Sequence, residues 1–514
     1  MNINNLPVEV LELIFHHLPV RDRKVGAEVC HLWAQIVSGW SCMADVDLVI
    51  KVSLLSIESP AISHRRYRNL FLRVDRELNN NSRITISNVL FGYKESLERL
   101  RISWELEDRP IDLFVFLWLL SFTPGLRVLI VEDCNETWDE TSEMPSSSSI
   151  PCLVNLETVE LPCSLMDNIN FNLCLLAPKI RILIATINGR HAWTAIQELS
   201  GQLSSLTVRT ETENNLQPFW WNVDGRKLNQ LTLSKLCYDL MDIVDVNPSD
   251  ASQFFSCCSS LTALRLELHV PLSVIRIVVQ SCPLLTKLLV YDLDDGMAFL
   301  VAVQPLQQLT HLTVMETSFE SKPSTNFLLP KVVSLTLHSV EFRDPSLFFQ
   351  HLNNATPNLR SLKLSRYAHL DDSQPDASVL RALLSSNLHK LRKLTLANNN
   401  SFPSHLFSHI NLLSNLVDLR LDFFGLNPWV RFACVPTIQR MVLSVGKLSQ
   451  VQLRALLRVF SALIRLDLIV ANPSSEETIL DYIHEIVRNC PNTEINVWER
   501  KNKASFLDEW FGNY

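Results

Sequence analysis

Thr356-Pro357-Asn358-Leu359-Arg360-Ser361-Leu362-Lys363-Leu364 holds three leucines in a fixed spacing: aliphatic, two variable, aliphatic, one variable, aliphatic. The last two alternate with polar neighbours, the period of a strand buried on one face. The spacing recurs upstream at Leu97-Leu100-Ile102, Leu126-Leu129-Val131, Leu156-Val159-Leu161 and Leu203-Leu206-Val208. Downstream it recurs at Leu391-Leu394-Leu396, Leu416-Leu419-Leu421, Ile438-Met441-Leu443 and Leu463-Leu466-Leu468, with further copies between. Ile180-Leu183-Ala185 is a weaker copy, and a frayed one sits near Ile495 and Val497. From Leu100 to Leu466 the chain advances 366 residues in fourteen steps, about 26 per step. Between the strands lie stretches of helical period, such as Leu380-Leu383-Leu384, or Leu453, Leu456, Leu457 and Phe460. Their apolar stripes fit against a row of strands.

A strand and one helix cannot bury their apolar faces alone, so such units must stack. A period of roughly 20 to 29 residues with this spacing is that of leucine-rich repeats. The expected fold class is α/β: an N-terminal helical segment, then a curved leucine-rich-repeat solenoid with one strand and one helix per repeat. Its repeats span 96–491, strands lining the concave side. Residues 46–95 carry apolar stretches, Leu70 to Val74 and Ile84 to Val89, without a clean triplet. They read as degenerate first repeats capping the array. Residues 492–514, with Trp498, Phe506, Trp510, Phe511 and Tyr514, read as a C-terminal cap. Residues 132–149 interrupt the array as a solvated loop, with Glu132, Asp133, Glu136, Asp139, Glu140 and Glu143 ahead of Ser146 to Ser149.

Composition narrows the function classes. Of 514 residues, 47% are apolar and 19% charged, enough to bury a continuous core. A net charge of -8 argues against a general nucleic-acid or anionic-membrane binder, which displays a basic surface. The most apolar run, Leu113 to Phe122, is half of the roughly 20 residues that cross a bilayer, and reads as a buried helix. The N-terminus around Asn2, Asn4, Asn5 and Glu9 lacks the basic start and apolar core of a signal peptide, so cytoplasm or nucleus is expected. Twelve cysteines are scattered singly apart from Cys257-Cys258, without Cys-x-x-Cys pairs, and read as small buried hydrophobes in a reducing compartment. There is no phosphate-cradling glycine loop, no metalloprotease helix motif and no nucleophile elbow. No catalytic residue, metal or cofactor is expected.

The first 40 residues have another rhythm. Pro7 can start a helix whose stripe is Val10, Leu11, Ile14, Phe15 and Leu18, and Pro19 stops it. A second helix is expected from Asp22, with Val25, Val29, Leu32, Trp33 and Ile36 at helical spacing. Leu6-Pro7-x-Glu9-Val10-Leu11-x-x-Ile14-Phe15-x-x-Leu18-Pro19, then Asp22, then Val29-Cys30-x-x-Trp33, resembles the F-box. The resemblance covers residues 1–45. It implies docking onto the Skp adaptor, and through it a cullin, by Leu6, Pro7, Leu11, Ile14, Phe15 and Leu18. Cys30 and Trp33 would serve internal packing. Arg23 stands where the family usually has leucine, a departure that bears on adaptor affinity. Pro followed by an aliphatic, as in Cys282-Pro283-Leu284, is similar to the cysteine-containing repeats of F-box proteins. Amphipathicity alone would also suit a plain N-terminal cap.

Together these readings imply the substrate-recognition subunit of a cullin-RING ubiquitin ligase, not itself an enzyme. A repeat scaffold without a ligase role is the alternative, and a small-molecule receptor of the F-box type a third reading. The partners would be the Skp adaptor and a protein substrate, with no nucleic acid and no membrane. Toward the C-terminal end the variable strand positions carry Lys363, Lys393, Arg420, Arg440 and Arg465, interspersed with Asp418, Asp422 and Asp467. Rows of lysine and arginine suit acidic or phosphorylated peptides. Phe219-Trp220-Trp221 is a second candidate contact.

Overall fold

Pro7 and Pro19 each stand directly ahead of a helix, where a fixed φ and a missing N–H cost nothing. The computed structural model describes residues 3–39, 41–54, 67–106, 111–133, 150–168, 171–187, 190–210, 223–235, 248–320, 327–369, 375–386, 388–398, 410, 412–423, 437–445, 460, 462–470 and 494–499. Helix α1 is Val8–His16 and α2 is Val20–Ala27. The single helix expected from Asp22 is broken, and α3 begins only at His31–Val37. Cys30, extended at φ -161° and ψ 165°, makes the break. Turning there brings Ile36 and Val37 into one buried cluster with Leu11, Phe15 and Cys42, which a straight helix would not reach.

The chain forms two compact units, Met1–Ile243 and Val244–Tyr514. In the first, the helices lead into β1 (Asp47–Lys51), β2 (Asn69–Val74), β3 (Arg99–Trp104), β4 (Val128–Asp133), β5 (Thr158–Leu161), β6 (Ile182–Ile187), β7 (Ser205–Thr210) and β8 (Gln230–Lys235). Each pairs in parallel with the next. The second unit holds β9 (Ala263–His269), β10 (Lys287–Leu293), β11 (His311–Phe319), β12 (Ser334–Phe342), β13 (Ser361–Ser365), β14 (Ala368–His369), β15 (Lys393–Asn398), β16 (Asp418–Phe423), β17 (Arg440–Val445), β18 (Arg465–Val470) and β19 (Glu494–Glu499). These too form a parallel ladder, with the short β14 alongside β12.

Triplet residues align across the strands. Leu70, Leu100, Leu129 and Val159 share one row of β2 to β5, and Leu362, Leu394, Leu419, Met441 and Leu466 one row of β13 to β18. All are buried, while the residues between them face the other way. Helices cover the buried side: Leu272–Ser281 buries Val274, Ile275, Val278 and Val279, and Pro375–Ser385 buries Leu380, Leu383 and Leu384. The apolar run expected to be a buried helix is Leu113–Leu120, its first turn capped by Asp112, which accepts from Val115 N at 3.1 Å. No helix among the described residues is long and apolar enough to cross a membrane. This is an open strand-and-helix repeat architecture in each unit, as the spacing predicts.

A recurring turn explains two of the cysteines. The N–H groups of Leu126, Leu261, Leu285 and Leu359 donate to the carbonyls of Thr123, Cys258, Cys282 and Thr356, three residues earlier. Each acceptor residue is small and buried beneath the helix end. Burial pushes the Cys282 thiol up to about 12, which leaves it an unreactive hydrophobe. The expectation of burial does not extend to Cys152, which is exposed.

Other expectations need adjustment. Glu132 and Asp133 belong to β4 and not to the acidic loop, because strand pairing to β3 continues through them. The remainder of that loop (134–149), the Phe219-Trp220-Trp221 candidate, the helical stretch at 453–457 and the tail 500–514 lie outside the described residues. One feature has no counterpart in the triplet pattern: Asp292, Glu316, Ser339 and Arg366 have φ near +50° (50°, 48°, 51° and 49°). They fall at one position of four consecutive repeats. Past each kink the chain pairs again, as Leu293 with Thr317 and Thr317 with Val340.

Candidate functional site

Two surfaces carry recognisable chemistry, and the first is built on α1. Leu11 and Phe15, four residues apart, point inward, and Phe15 meets Trp33 edge-on with ring centroids 5.0 Å apart. The Phe15 ring also lies directly on residue 26, a glycine, where a Cβ would come within 2.8 Å of it. Trp33 Nε1 donates to Asn4 Oδ1 at 2.8 Å and ties down the N-terminal turn. Leu6 and Leu18 pack half-buried against the same cluster.

The other side of α1 is apolar and exposed. Val10, Leu13 and Ile14 form a stripe at i, i+3, i+4, with Leu13 59% exposed. Val25 and Val29 are 60% exposed, and Ile3 and Val8 are exposed as well. So many bare aliphatics on one small helical module mark a contact surface. Of the residues expected to touch an adaptor, Pro7 and Ile14 are exposed, Leu6 and Leu18 half-buried, and Leu11 and Phe15 interior. Val10, Leu13, Val25 and Val29 were absent from that expected set. Residues 8–15 are apolar around most of the helix, so period alone does not say which stripe faces in. The break at Cys30 is what releases Val25 and Val29 to the surface.

Arg23 lies behind this surface, only 4% exposed. Its Nε donates to the Leu18 carbonyl at 2.8 Å, and Nη2 to the His16 carbonyl at 3.1 Å. Nη1 donates to the Cys42 carbonyl at 2.5 Å, and Nη1 and Nη2 grip the two Asp45 oxygens at 2.6 Å each. The grip holds the Asp45 carboxyl below its ordinary range and raises the guanidinium above its own. The guanidinium therefore joins the end of α1, the turn into α2 and the segment leading to β1. Such a planar fork meets five acceptors that leucine could not.

The second surface is the ladder's open face, opposite the packed leucines. In the first unit three of its arginines meet carboxylates one or two repeats away. Arg73 pairs with Glu105 (2.8 Å), Arg101 with Glu132 (2.7 Å) and Arg209 with Glu160 (2.8 Å). In the second unit Arg265 pairs with Glu267. Register divides the five basic residues singled out from sequence into two rows. Lys393, Arg440 and Arg465 share a row with Asp418 and Glu494. Lys363 and Arg420 share the next row, with Thr395 between them. Arg465 is engaged by Asp467 at 3.0 Å and Glu494 at 3.8 Å, and Lys393 approaches Asp418 at 3.9 Å. Burial, then Arg420 and Lys393, push the Lys363 ammonium down to about 8. His338, hydrogen-bonded through Nδ1 to Ser365 Oγ at 2.7 Å, is pushed down to about 4 by burial and by Arg366 and Lys363. Among the described residues no three His, Cys, Asp or Glu side chains are placed to hold a metal ion.

A helical module with a bare apolar face is thus followed by parallel strand-and-helix repeats. The F-box-like family model matches residues 3–43. Over 111 residues, 21% of this chain, the sequence is 32% identical to human (Homo sapiens) F-box/LRR-repeat protein 8, covering 30% of that protein. The mouse (Mus musculus) F-box/LRR-repeat protein 8 is 32% identical over 100 residues, 19% of this chain and 27% of that protein. The match thus spans less than a third of the length of these curated relatives. Among solved structures, the TLR13–ssRNA13 complex is 14% identical, covers 88% of this chain and 73% of that chain, and has a TM-score of 0.40. The mouse RP105/MD-1 complex is 14% identical, covers 87% and 89%, and has a TM-score of 0.33. Likeness of that grade assigns no site. Residues 3–43 thus match an F-box-like domain, and part of the chain is similar to F-box/LRR-repeat proteins.

Proposed function

We propose that this chain is the substrate-selecting subunit of a cullin-RING ubiquitin ligase. The observation that carries the reading is the bare aliphatic face of α1 and α2 within the F-box match. Val10, Leu13, Ile14, Val25 and Val29 would seat on the Skp adaptor, with Leu6 and Pro7 at the edge. Leu11, Phe15 and Leu18 would hold the face from behind. The chain would supply no bond-making chemistry. It would raise the effective concentration of a substrate lysine near charged ubiquitin, turning a rare encounter into an intramolecular one. The repeat ladder's open face would choose the substrate. Cysteines without Cys-x-x-Cys pairing would suit a reducing compartment, so cytoplasm or nucleus is the location this reading proposes.

Affinity purification of the full chain from cells tests the reading. Adaptor and cullin are expected with the native chain and not with a Leu13→Asp, Val29→Asp variant of unchanged thermal stability. Equal recovery from both would overturn it, and absence from both would leave a repeat scaffold without a ligase role.

A further inference from the structure

Aliphatic side chains gather on the open face of β4 and β6. Val128 and Ile130 stand two residues apart on β4, and Ile182 and Ile184 likewise on β6. The strand between them, β5, pairs with both: Val128, Thr158 and Ile182 share one register row, and Ile130, Glu160 and Ile184 the next. All four point away from the packed side, which Leu129, Val131, Leu183 and Ala185 occupy. Ile182 is 36% exposed, and the other three are half-buried. Strand geometry sets these four corners about 7 Å apart along a strand and about 10 Å apart across β5.

The charges nearest Ile130 and Ile184 are already closed. Arg101 grips Glu132 at 2.7 Å on the β3 side, and Arg209 on β7 reaches across β6 to Glu160 at 2.8 Å. Arg127 meets Glu157 at 3.3 Å where the chain enters β4 and β5. Each pair joins one cation to one carboxylate, and Arg99, exposed beside Val128, adds a single cation at the outer edge. An acidic partner group would confront Glu132 and Glu160, and a basic one Arg101 and Arg209. An uncharged apolar partner meets neither conflict and lets the rim pairs exclude water from the centre, the anatomy of an energetically strong contact. The matching row of β11 to β16 holds Thr313, Thr336, Lys363, Thr395 and Arg420, so aliphatic corners are not a general property of the repeat.

We infer that Val128, Ile130, Ile182 and Ile184 form an apolar seat for an uncharged, extended segment of the protein substrate that carries bulky aliphatic side chains at alternate positions. The period fits, because alternate residues of an extended chain also stand about 7 Å apart on one side. The seat rests on the reading that the open face selects substrate, and it names the substrate class that face would take.

The test is fluorescence anisotropy on the full chain with four labelled short peptides. One is neutral, with leucine at three alternate positions among serines; the second has serine for every leucine, and the others aspartate or lysine for the central leucine. The leucine peptide should bind above the other three, and salt should change its affinity less than about twofold, since apolar contact is not screened. The double variant Ile130→Thr, Ile184→Thr should weaken it about tenfold or more, as loss of buried aliphatic carbons does. Ile130→Leu should keep it, and Val442→Thr, on the open face of the second unit, should change it less than about twofold. Threonine suits a strand, so the thermal midpoint of the double variant should stay within about 3 °C of the native value, which separates lost binding from lost folding. Equal binding of the leucine and serine peptides, equal binding by the native chain and the double variant, or a preference for the aspartate or lysine peptide overturns the seat. Adaptor recovery by the double variant should match that of the native chain, so failure of the ligase reading would show separately.

Discussion

Replacing Arg23 with alanine removes a side chain that is 5% exposed and makes five hydrogen bonds. The carbonyls of His16, Leu18 and Cys42 lose that donor, and a buried polar group left unmet costs about 1–3 kcal/mol. Asp45 is 48% exposed, so water compensates most of its loss, leaving about 1 kcal/mol or less. The three unmet carbonyls therefore dominate, and opening of α1 to α3 should become easier by at least about 3 kcal/mol. Arg23→Leu, which restores the residue usual in the F-box family, refills the volume without the donors and should cost about 2–3 kcal/mol. Hydrogen exchange read by mass spectrometry on the full chain reports the local opening free energy of these helices. Protection of residues 8–37 unchanged to within about 0.5 kcal/mol in Arg23→Ala would refute the clamp.

Acid should weaken the same module. The Asp45 carboxyl is depressed by the Arg23 hydrogen bonds, so its stabilisation is full above its ordinary value of 3.8 and is lost as pH falls through the lower folded value. Protection of α1 to α3 should therefore decline with acid below about pH 4 in the native chain and show less of that decline in Asp45→Asn. Leu11→Ala, at a fully buried position, should destabilise the helical module by about 2–5 kcal/mol in denaturant titration, whereas Leu13→Ala should cost under about 1 kcal/mol while lowering adaptor affinity. Gly296→Ala would place a Cβ 2.5 Å from Phe319, which packs against both Phe342 and Phe348, and should cost about 1–3 kcal/mol by calorimetry.

The repeat ladder was legible because a leucine that must be buried returns every 26 or so residues, and its register followed from the same leucines. The interior of the F-box was less so. The run from Val29 through Leu32, Trp33 and Ile36 keeps helical period across a break that only the extended Cys30 reveals. Arg23 reads as a blemish in a motif until Asp45, 22 residues on and beyond that motif, is seen to hold it. On the open face, the basic residues were visible but not their engagement. Arg465 meets Glu494 only because β18 and β19 pair, while Lys363 and Arg420 share a row only through the register of β15.

Hydrogen exchange on the full chain with and without purified Skp adaptor tests the proposed ligase role most directly. The expected result is new protection confined to residues 3–29, lost in Leu13→Asp, with the β13 to β16 strands unchanged. Adaptor binding that leaves residues 3–29 unprotected, or no binding by a chain whose helices are folded, would contradict it.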